Sequence, residues 1–294
     1  MATTLRETHF VPPVPLAVAK HLRLFEQAQL ELDTKVTRSS KEQREDLLSG
    51  ERDLAVTAID NLLIWNESAD DFRLVAQVES TTSLAIYARP GLHSIGDLAG
   101  TRFAVDAATN GFAIVARHLL ADAGVHDVEF VEIGGVRERL AALLSGRADA
   151  TLLGPPLDEM ADQQGLVKLL AANDLLVDYP GQGLVVHKAR IPELRPRLRT
   201  YLKSLDQAIK WSSKAAREEG LAILRDAGFG ERSCETGWAT RPSSLVPSRP
   251  GLQLLVQMRD GLGMLPTSFR GIESMWDPSV LQEVLNENYE RQNS

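Results

Sequence analysis

The chain has 294 residues but only one cysteine, Cys234, so it has no internal disulfide and no cysteine-rich metal site. It also lacks basic runs: 32 basic and 40 acidic residues are mixed along the sequence, with a net charge of −8. A nucleic-acid-binding protein would show a clustered basic face, which disfavours that class. No apolar stretch approaches the about 18 residues of a membrane-spanning helix. The sequence therefore predicts no metal, no cofactor, no nucleic-acid partner and no membrane insertion.

The first residues show no basic segment followed by an apolar one, which is the pattern of a secretory signal peptide. The sequence as written therefore predicts a cytoplasmic protein. It predicts a periplasmic protein if a signal peptide has been removed.

A seven-residue motif occurs twice. Residues 47–53 read LLSGERD and residues 143–149 read LLSGRAD, with five of the seven positions identical. Upstream, AVAKH at 17–21 is echoed by IVARH at 114–118. This spacing is far too wide for a solenoid, whose repeats are about 20–50 residues long. The duplication predicts two similar α/β lobes, each built from a strand–helix–strand–helix–strand unit, with a small-molecule cleft between them.

Two extended segments indicate where the chain crosses between these lobes. The first is Leu74–Ala88, which ends at an Arg-Pro-Gly sequence, and the second lies at 179–186. Helical patterns dominate after the second crossing. The predicted division is therefore a discontinuous lobe one, at 1–88 plus 185–294, and a lobe two at 89–184. Lobe one includes the helical C-terminal region.

Three segments, at 47–55, 94–105 and 143–150, resemble the type 2 periplasmic-binding-protein fold in their order and spacing. The resemblance is to the sulfonate-, taurine- and nitrate-type solute-binding proteins and to the NMT1/THI5-like thiamine-pyrimidine synthases. It implies a two-lobe clamshell of doubly wound, Rossmann-like α/β lobes that binds a small molecule. One fold hosts many functions, so the resemblance predicts the fold better than the ligand.

The chain departs from two enzymatic branches of this superfamily. The pyrimidine synthases use a histidine donor and a cysteine-rich loop, whereas Cys234 is solitary. The desulfinase relatives use a nucleophilic cysteine in the first loop, where this chain has Pro12 and Pro13. The sequence therefore disfavours both chemistries.

Ligands of open α/β sheets bind beyond the carboxyl ends of the strands. This rule selects the loops that follow the predicted strands, and the resemblance adds a segment near residue 240 that closes the cleft in relatives. The predicted ligand-binding residues are Pro12, Pro13, Thr37, Arg38, Asp60, Asn61, Thr109, Asn110, Gly111, Phe112, Gly154, Pro155, Trp238 and Arg241.

Two of these groups have a specific predicted role. Asn110–Phe112 begins a helix, where free N–H groups and the helix dipole favour a carboxylate or sulfonate; the alternative is a simple asparagine cap. Trp238 is a candidate for stacking on a ligand and Arg241 for binding its carboxylate. The alternative for this pair is a core tryptophan and a solvated arginine.

Three acids, Asp60, Asp106 and Glu79, are the candidates for catalysis. Asp60 follows a strand, so it could pair with a cationic ligand or act as a general base, or it could cap the next helix. If all three acids face one cleft, their repulsion raises at least one pKa, which acid–base chemistry exploits.

The leading interpretation is an ABC-transporter-type solute-binding protein. It would capture a small organic, anionic ligand by hinge closure, with an ABC permease as partner if it is exported. The alternative is a cytoplasmic, cofactor-independent enzyme on the same fold, a decarboxylase or lyase that uses acids such as Asp60. A ligand-sensing regulatory module is a third interpretation, but no helix-turn-helix segment accompanies it.

Overall fold

The computed structural model describes residues 3–292 of the chain. The elements of the first half are β1 Thr3–His9, α1 Val14–His21, α2 Leu24–Gln27, β2 Leu30–Val36, α3 Ser40–Ser49, β3 Leu54–Ala58, α4 Asn61–Trp65, β4 Phe72–Gln77, β5 Ala85–Ala88, β6 Thr101–Val105, α5 Gly111–Asp122 and β7 Val128–Glu132. Those of the second half are α6 Val136–Leu144, β8 Ala150–Leu153, α7 Leu157–Gln163, β9 Val167–Ala171, β10 Gln182–His187, α8 Ile191–Ser212, α9 Arg217–Asp226, α10 Glu231–Ala239, α11 Arg249–Gly261 and α12 Ser279–Gln292.

The strands form two five-stranded mixed sheets with the same plan. The first sheet has the order β2-β1-β3-β10-β4, and the second has the order β7-β6-β8-β5-β9. In each order the first three strands pair in parallel. The fourth strand, β10 or β5, runs antiparallel to both of its neighbours, so the fifth strand points the same way as the first three. The fold is thus the predicted α/β arrangement of two similar sheets with interspersed helices and a helical C-terminal region.

The antiparallel strands are also where the chain passes from one sheet to the other. β5 follows four strands of the first sheet but pairs within the second, and β10 returns to the first. A division drawn from the sheets would therefore place the crossings at 78–84 and 172–181, slightly before the predicted boundaries at 88 and 184. The division into two discontinuous lobes remains a prediction.

Helices pack against both sheets, and one of the two large cores contains residues of both sheets. Helix α8 and helix α1 cover the first sheet, where Leu5, Val56 and Tyr201 are buried in one core. Helix α5 lies with α11 in a second core, which also receives Phe103 from β6. Within residues 3–292, no helix combines the length and apolar character needed to cross a membrane.

The repeated sequence motif corresponds to a repeated ion pair. In the first sheet, the backbone N–H and Nε of Arg6 donate to Asp53 Oδ2 at 2.9 and 3.2 Å. In the second, the same groups of Arg102 donate to Asp149 Oδ2 at 3.0 and 3.1 Å. Both aspartates therefore fix the start of a central strand against its neighbour, which explains why the motif retains Asp in both copies.

These pairs predict a pH-dependent stability. Burial by itself would raise the pKa of Asp149, but hydrogen bonds from Arg102 and Arg89 outweigh it and lower that pKa to about 2. A depressed folded-state pKa means that the stabilisation is present above the unfolded-state pKa, near 3.8, and is lost as the pH falls towards about 2. We expect Asp149→Asn to lower the free energy of unfolding at pH 7 and to flatten its decline between these values.

Urea unfolding at a series of pH values measures this effect. Asp127→Asn is the matched control, because Asp127 is exposed and its side chain has no hydrogen bond among residues 3–292. An Asp149→Asn profile that parallels the wild-type profile would contradict the assignment.

Candidate functional site

A cavity of about 270 Å³ lies between the two sheets. This volume is near the lower end of the range of about 300–1,000 Å³ that is typical of small-molecule pockets. Its walls come from the loops after β1, β3, β6 and β8, from the first crossing, from the start of β10 and of α6, and from residues 227–241. The cavity therefore lies where the topology rule places a ligand, at the carboxyl ends of the central parallel strands.

Apolar side chains form much of the wall. The loop after β1 contributes Phe10, Pro12 and Pro13, and Phe112 from the start of α5 also lines the cavity. Pro15 lies in the first turn of α1 and has no N–H, so this helix start offers one donor fewer than an ordinary one. The loop after β1 thus supplies hydrophobic surface for the body of a ligand.

The most informative polar group in the wall is Arg139, which sequence reasoning missed. Arg139 is only 2% exposed, and its Nη1 donates to the carbonyl oxygen of Leu152 at 2.9 Å. Its Nε is buried without a hydrogen-bond partner, and no ion pair of Arg139 exists among the described residues. Burial lowers the pKa of Arg139 to about 10, so the group remains cationic at neutral pH.

The sequence did contain a sign of Arg139. Positions 136, 139, 140 and 143 follow the i, i+3, i+4, i+7 spacing of the buried face of α6, where Leu140 and Leu143 are also buried. An arginine on such a face is unusual, because a buried cation without a partner is costly. A search for charged residues on apolar helix faces would have identified it.

Arg241 is a second cation in the wall, as predicted. Its guanidinium stacks 4.1 Å from the ring centroid of Trp238, and its Nη1 donates to the carbonyl oxygen of that residue. Burial lowers the pKa of Arg241. Trp238 is buried in the first core and does not line the cavity. Its role is therefore to hold Arg241 in place.

Two of the three candidate acids line the cavity. Asp106 Oδ2 accepts hydrogen bonds from the Ser40 N–H and from Asn110 Nδ2, both at 3.0 Å. Glu79 Oε2 accepts from Thr82 Oγ1 at 2.6 Å and from the Gln182 N–H at 3.1 Å, which ties the two crossing segments together. Burial raises the pKa of Glu79.

Asp60, the third acid, does not face the cavity, contrary to the expectation. It is fully buried and pairs with Arg259 of α11, whose Nε lies 2.9 and 3.0 Å from its two carboxylate oxygens. Arg259 Nη2 also donates to the carbonyl oxygen of Thr109 at 2.8 Å. Asp60 makes no side-chain cap of α4 either. The partner lies 199 residues away in the chain, so no local pattern could have shown it.

The helix start at Asn110 is already occupied by the protein. Asn110 Oδ1 accepts from the Ala113 N–H at 2.9 Å, which is the asparagine cap that was the alternative reading. The Gly111 N–H donates to Asn61 Oδ1 at 2.9 Å, across the boundary between the sheets. A Cβ at Gly111 would lie 3.1 Å from that of Asp60, so glycine permits this close approach. The N–H groups of Gly111 and Ala113 are therefore already bonded within the protein.

The remaining predicted residues divide into two groups. Those in the cavity wall are Pro12, Pro13, Asn61, Asn110, Phe112, Gly154, Pro155 and Arg241; those outside it are Thr37, Arg38, Asp60, Thr109, Gly111 and Trp238. Thr37 is buried and bonds locally to Ser39, whereas the Arg38 side chain is 83% exposed. Ligand contact by the wall residues remains a prediction. Across residues 3–292, no three His, Cys, Asp or Glu side chains are grouped so as to hold a metal ion.

Two similar mixed sheets that enclose a cavity at the carboxyl ends of their parallel strands define a type 2 periplasmic-binding-protein-like fold. The family model described as NMT1/THI5 like matches residues 13–218. The chain belongs to this NMT1/THI5-like family.

Solved structures agree with the fold. The alkanesulfonate-binding protein SsuA from Xanthomonas axonopodis pv. citri, bound to MOPS, is 20% identical with a TM-score of 0.76, covering 93% of this chain and 98% of its own. The periplasmic nitrate-binding protein NrtA from Synechocystis PCC 6803 is 13% identical, with a TM-score of 0.81. The match covers 97% of this chain and 89% of NrtA. The Candida albicans CA3427 gene product, described as having the generic periplasmic binding protein structural fold, is 14% identical, with a TM-score of 0.71. The match covers 97% of this chain and 95% of that protein. A search of curated proteins finds no match.

Proposed function

We propose that the protein is a solute-binding protein that captures a small organic anion between its two lobes. The observation that carries this proposal is the Arg139 guanidinium, which is buried in the cavity wall with its Nε unbonded and with no salt bridge among the described residues. An anionic ligand would supply the missing partner, and a charge-assisted hydrogen bond in a desolvated site is stronger than a neutral one. The apolar wall around it suits an organic body rather than a bare inorganic ion.

Contacts across the cavity support capture by closure. Ser40 donates to Asp106, and Asn61 accepts from Gly111, so groups on either side of the cavity are bonded directly. Within residues 3–292, the chain passes between the sheets at 78–84 and 172–181. We expect these two crossings, which are joined where Gln182 at the start of β10 donates to Glu79, to act as the hinge. A ligand that binds this closed form would stabilise it.

The comparisons extend the proposal to transport. Two of the similar structures carry the names of alkanesulfonate- and nitrate-binding proteins, and the nitrate-binding protein is described as periplasmic. By analogy, this protein would work outside the cytoplasm with an ABC permease. The cytoplasmic location expected from the sequence is not supported by these relatives.

The enzyme interpretation has one supporting observation. Glu79 is an acid in the cavity wall whose pKa is raised by burial, as a general acid requires. The other two candidate acids are bonded to protein groups: Asp60 pairs with Arg259, and Asp106 accepts hydrogen bonds from Ser40 and Asn110. Binding therefore remains the stronger proposal.

A thermal-shift screen tests the function. The panel pairs alkanesulfonates, alkanoates and aromatic acids with their neutral sulfonamides or amides. We expect a concentration-dependent rise in Tm with acids only, because a ligand that binds only the folded state stabilises it. Equal shifts with the neutral analogues, or none with any acid, would contradict the proposal. Proton NMR of each hit then shows whether it is converted, which would favour the enzyme.

A further inference from the structure

Arg139 and Arg241 enter the same cavity from opposite sides. Arg139 lies on α6, which packs on β8 of the second sheet. Arg241 follows α10, whose Trp238 is buried in the core of the first sheet. Both line the cavity wall. A ligand that contacts both would therefore join the two halves of the fold.

Neither cation forms a salt bridge. No salt bridge involves Arg139 or Arg241 within the described part of the chain, although the carboxylates of Asp106 and Glu138 are near enough to favour the charged form of Arg139. By contrast, Arg6 is paired with Asp53 and Arg102 with Asp149. Arg139 and Arg241 therefore differ from these two arginines in lacking a directly bonded carboxylate among the described residues.

Both guanidinium groups are also held in position without a ligand. Arg139 donates to the Leu152 carbonyl oxygen, and Arg241 is stacked on Trp238 and donates to its carbonyl oxygen. A cation fixed in advance loses little side-chain entropy when a ligand binds, which favours affinity. Each therefore has the features of a binding group rather than of a solvated surface charge.

The acids in the wall offset these two cations only in part. Asp106 accepts hydrogen bonds from Ser40 and Asn110, and its carboxylate is near enough to raise the pKa of Arg139. Glu79 is bonded to Thr82 and Gln182, and burial raises its pKa, which favours the neutral form. The wall therefore presents two cations to a ligand, Arg139 and Arg241, with the Asp106 carboxylate near the first of them.

We infer that the preferred ligand is an organic dianion, with one acid group for Arg139 and a second, separated by an apolar spacer, for Arg241. This inference rests on the proposed function and deepens it by naming the ligand class. Such a ligand would bridge the two sides of the cavity, so its second acid group would favour the closed form. The apolar residues Phe10, Pro13 and Phe112 would contact the spacer.

Calorimetry with matched acids tests the inference. The probes are the α,ω-dicarboxylates from succinate to suberate, each compared with its monoamide and with the ω-amino acid of the same length. We expect at least one dicarboxylate to bind at least about 10-fold more tightly than its monoamide, which is the lower end of the coupling measured for close charge pairs in interfaces. Arg241→Gln should reduce that ratio to about one, because it weakens the dicarboxylate far more than the monoamide, whereas Arg139→Gln should weaken both ligands.

Two further variants keep the test decisive. Arg38→Gln is the matched control, because Arg38 is an exposed arginine near the cavity that does not line it. If Arg241→Gln does not fold, Arg241→Lys replaces it, with the same charge but no planar fork, and should lower the ratio in part.

The outcomes separate this inference from the proposed function. Equal affinity for every dicarboxylate and its monoamide would overturn the dianion, and so would an unchanged ratio in the Arg241 variant. Tighter binding of the ω-amino acid would also overturn it, because Glu79 would then be the second contact. In each of these cases, monoacid binding that depends on Arg139 would leave the proposed function intact. Failure of every acid to bind would overturn both.

Discussion

Arg139→Gln is expected to weaken the binding of an organic anion by about 100-fold, or about 2.7 kcal/mol. The reason is the burial of the group: removing one partner of a desolvated charge pair costs about 2–5 kcal/mol in measured interfaces. Glutamine keeps a donor at the distance of Nε from the backbone but has no charge. The measurement is calorimetry with the tightest acid from the thermal-shift screen.

The same substitution weakens ligand binding but is not expected to weaken the fold. In the unliganded protein, Arg139 is a buried cation that has no salt bridge among the described residues. Burying a charge without a bonded partner is costly, so a neutral residue at this position removes that cost. We therefore expect Arg139→Gln to have at least the wild-type free energy of unfolding in urea, without ligand. Weaker binding together with retained stability distinguishes a binding residue from a structural one.

Arg117→Gln is the matched control for Arg139. Arg117 is another arginine whose pKa is lowered by burial, and it stacks 3.8 Å from the ring centroid of Phe130. It does not line the cavity. Its replacement should leave the affinity unchanged. Equal losses of affinity in both variants would mean that general electrostatics, rather than contact with Arg139, controls binding.

Much of the fold could be predicted because its two halves repeat a local pattern. The Asp of each LLSG motif copy lies next to a central strand and pairs with an arginine 47 positions before it. The short strands, the glycine turn after α3 and the Ser39 cap of α3 are likewise determined by neighbouring residues. Periodicity and cap chemistry act over a few residues, so a single sequence shows them.

The candidate site was predicted less well, because it depends on contacts between distant segments. The topology rule selected loops that border the cavity, and Pro12, Asn110 and Gly154 do line it. It could not show that Asn61 accepts a hydrogen bond from the Gly111 N–H, so that this donor of the predicted anion site is already bonded within the protein. It also gave no weight to Arg139, which comes from a helix face and not from a loop. Loop position identifies the cavity, whereas the charges inside it depend on packing.

Asp60 is the clearest case of a residue whose type suggested chemistry and whose environment indicates stability. An acid after a strand at the carboxyl edge of a sheet is a reasonable candidate for catalysis. In the structure its carboxylate and the Arg259 guanidinium are both fully buried and bonded to each other. Arg259 also reaches the Thr109 carbonyl oxygen in the loop before α5. The pair therefore holds α11 against loops that follow strands of both sheets.

Asp60→Asn is expected to lower the free energy of unfolding by about 3–5 kcal/mol, because it leaves Arg259 buried without its counter-charge. Asparagine has nearly the same shape, so the effect would come from charge and not from packing. The double variant Asp60→Asn/Arg259→Met should recover most of the loss, since it removes the unpaired cation, and urea unfolding of both variants measures the difference. The affinity for the anion should change by no more than about twofold where the variant is folded, because Asp60 does not line the cavity. Wild-type stability combined with lost binding or turnover would return Asp60 to the site and would revive the acid-based enzyme.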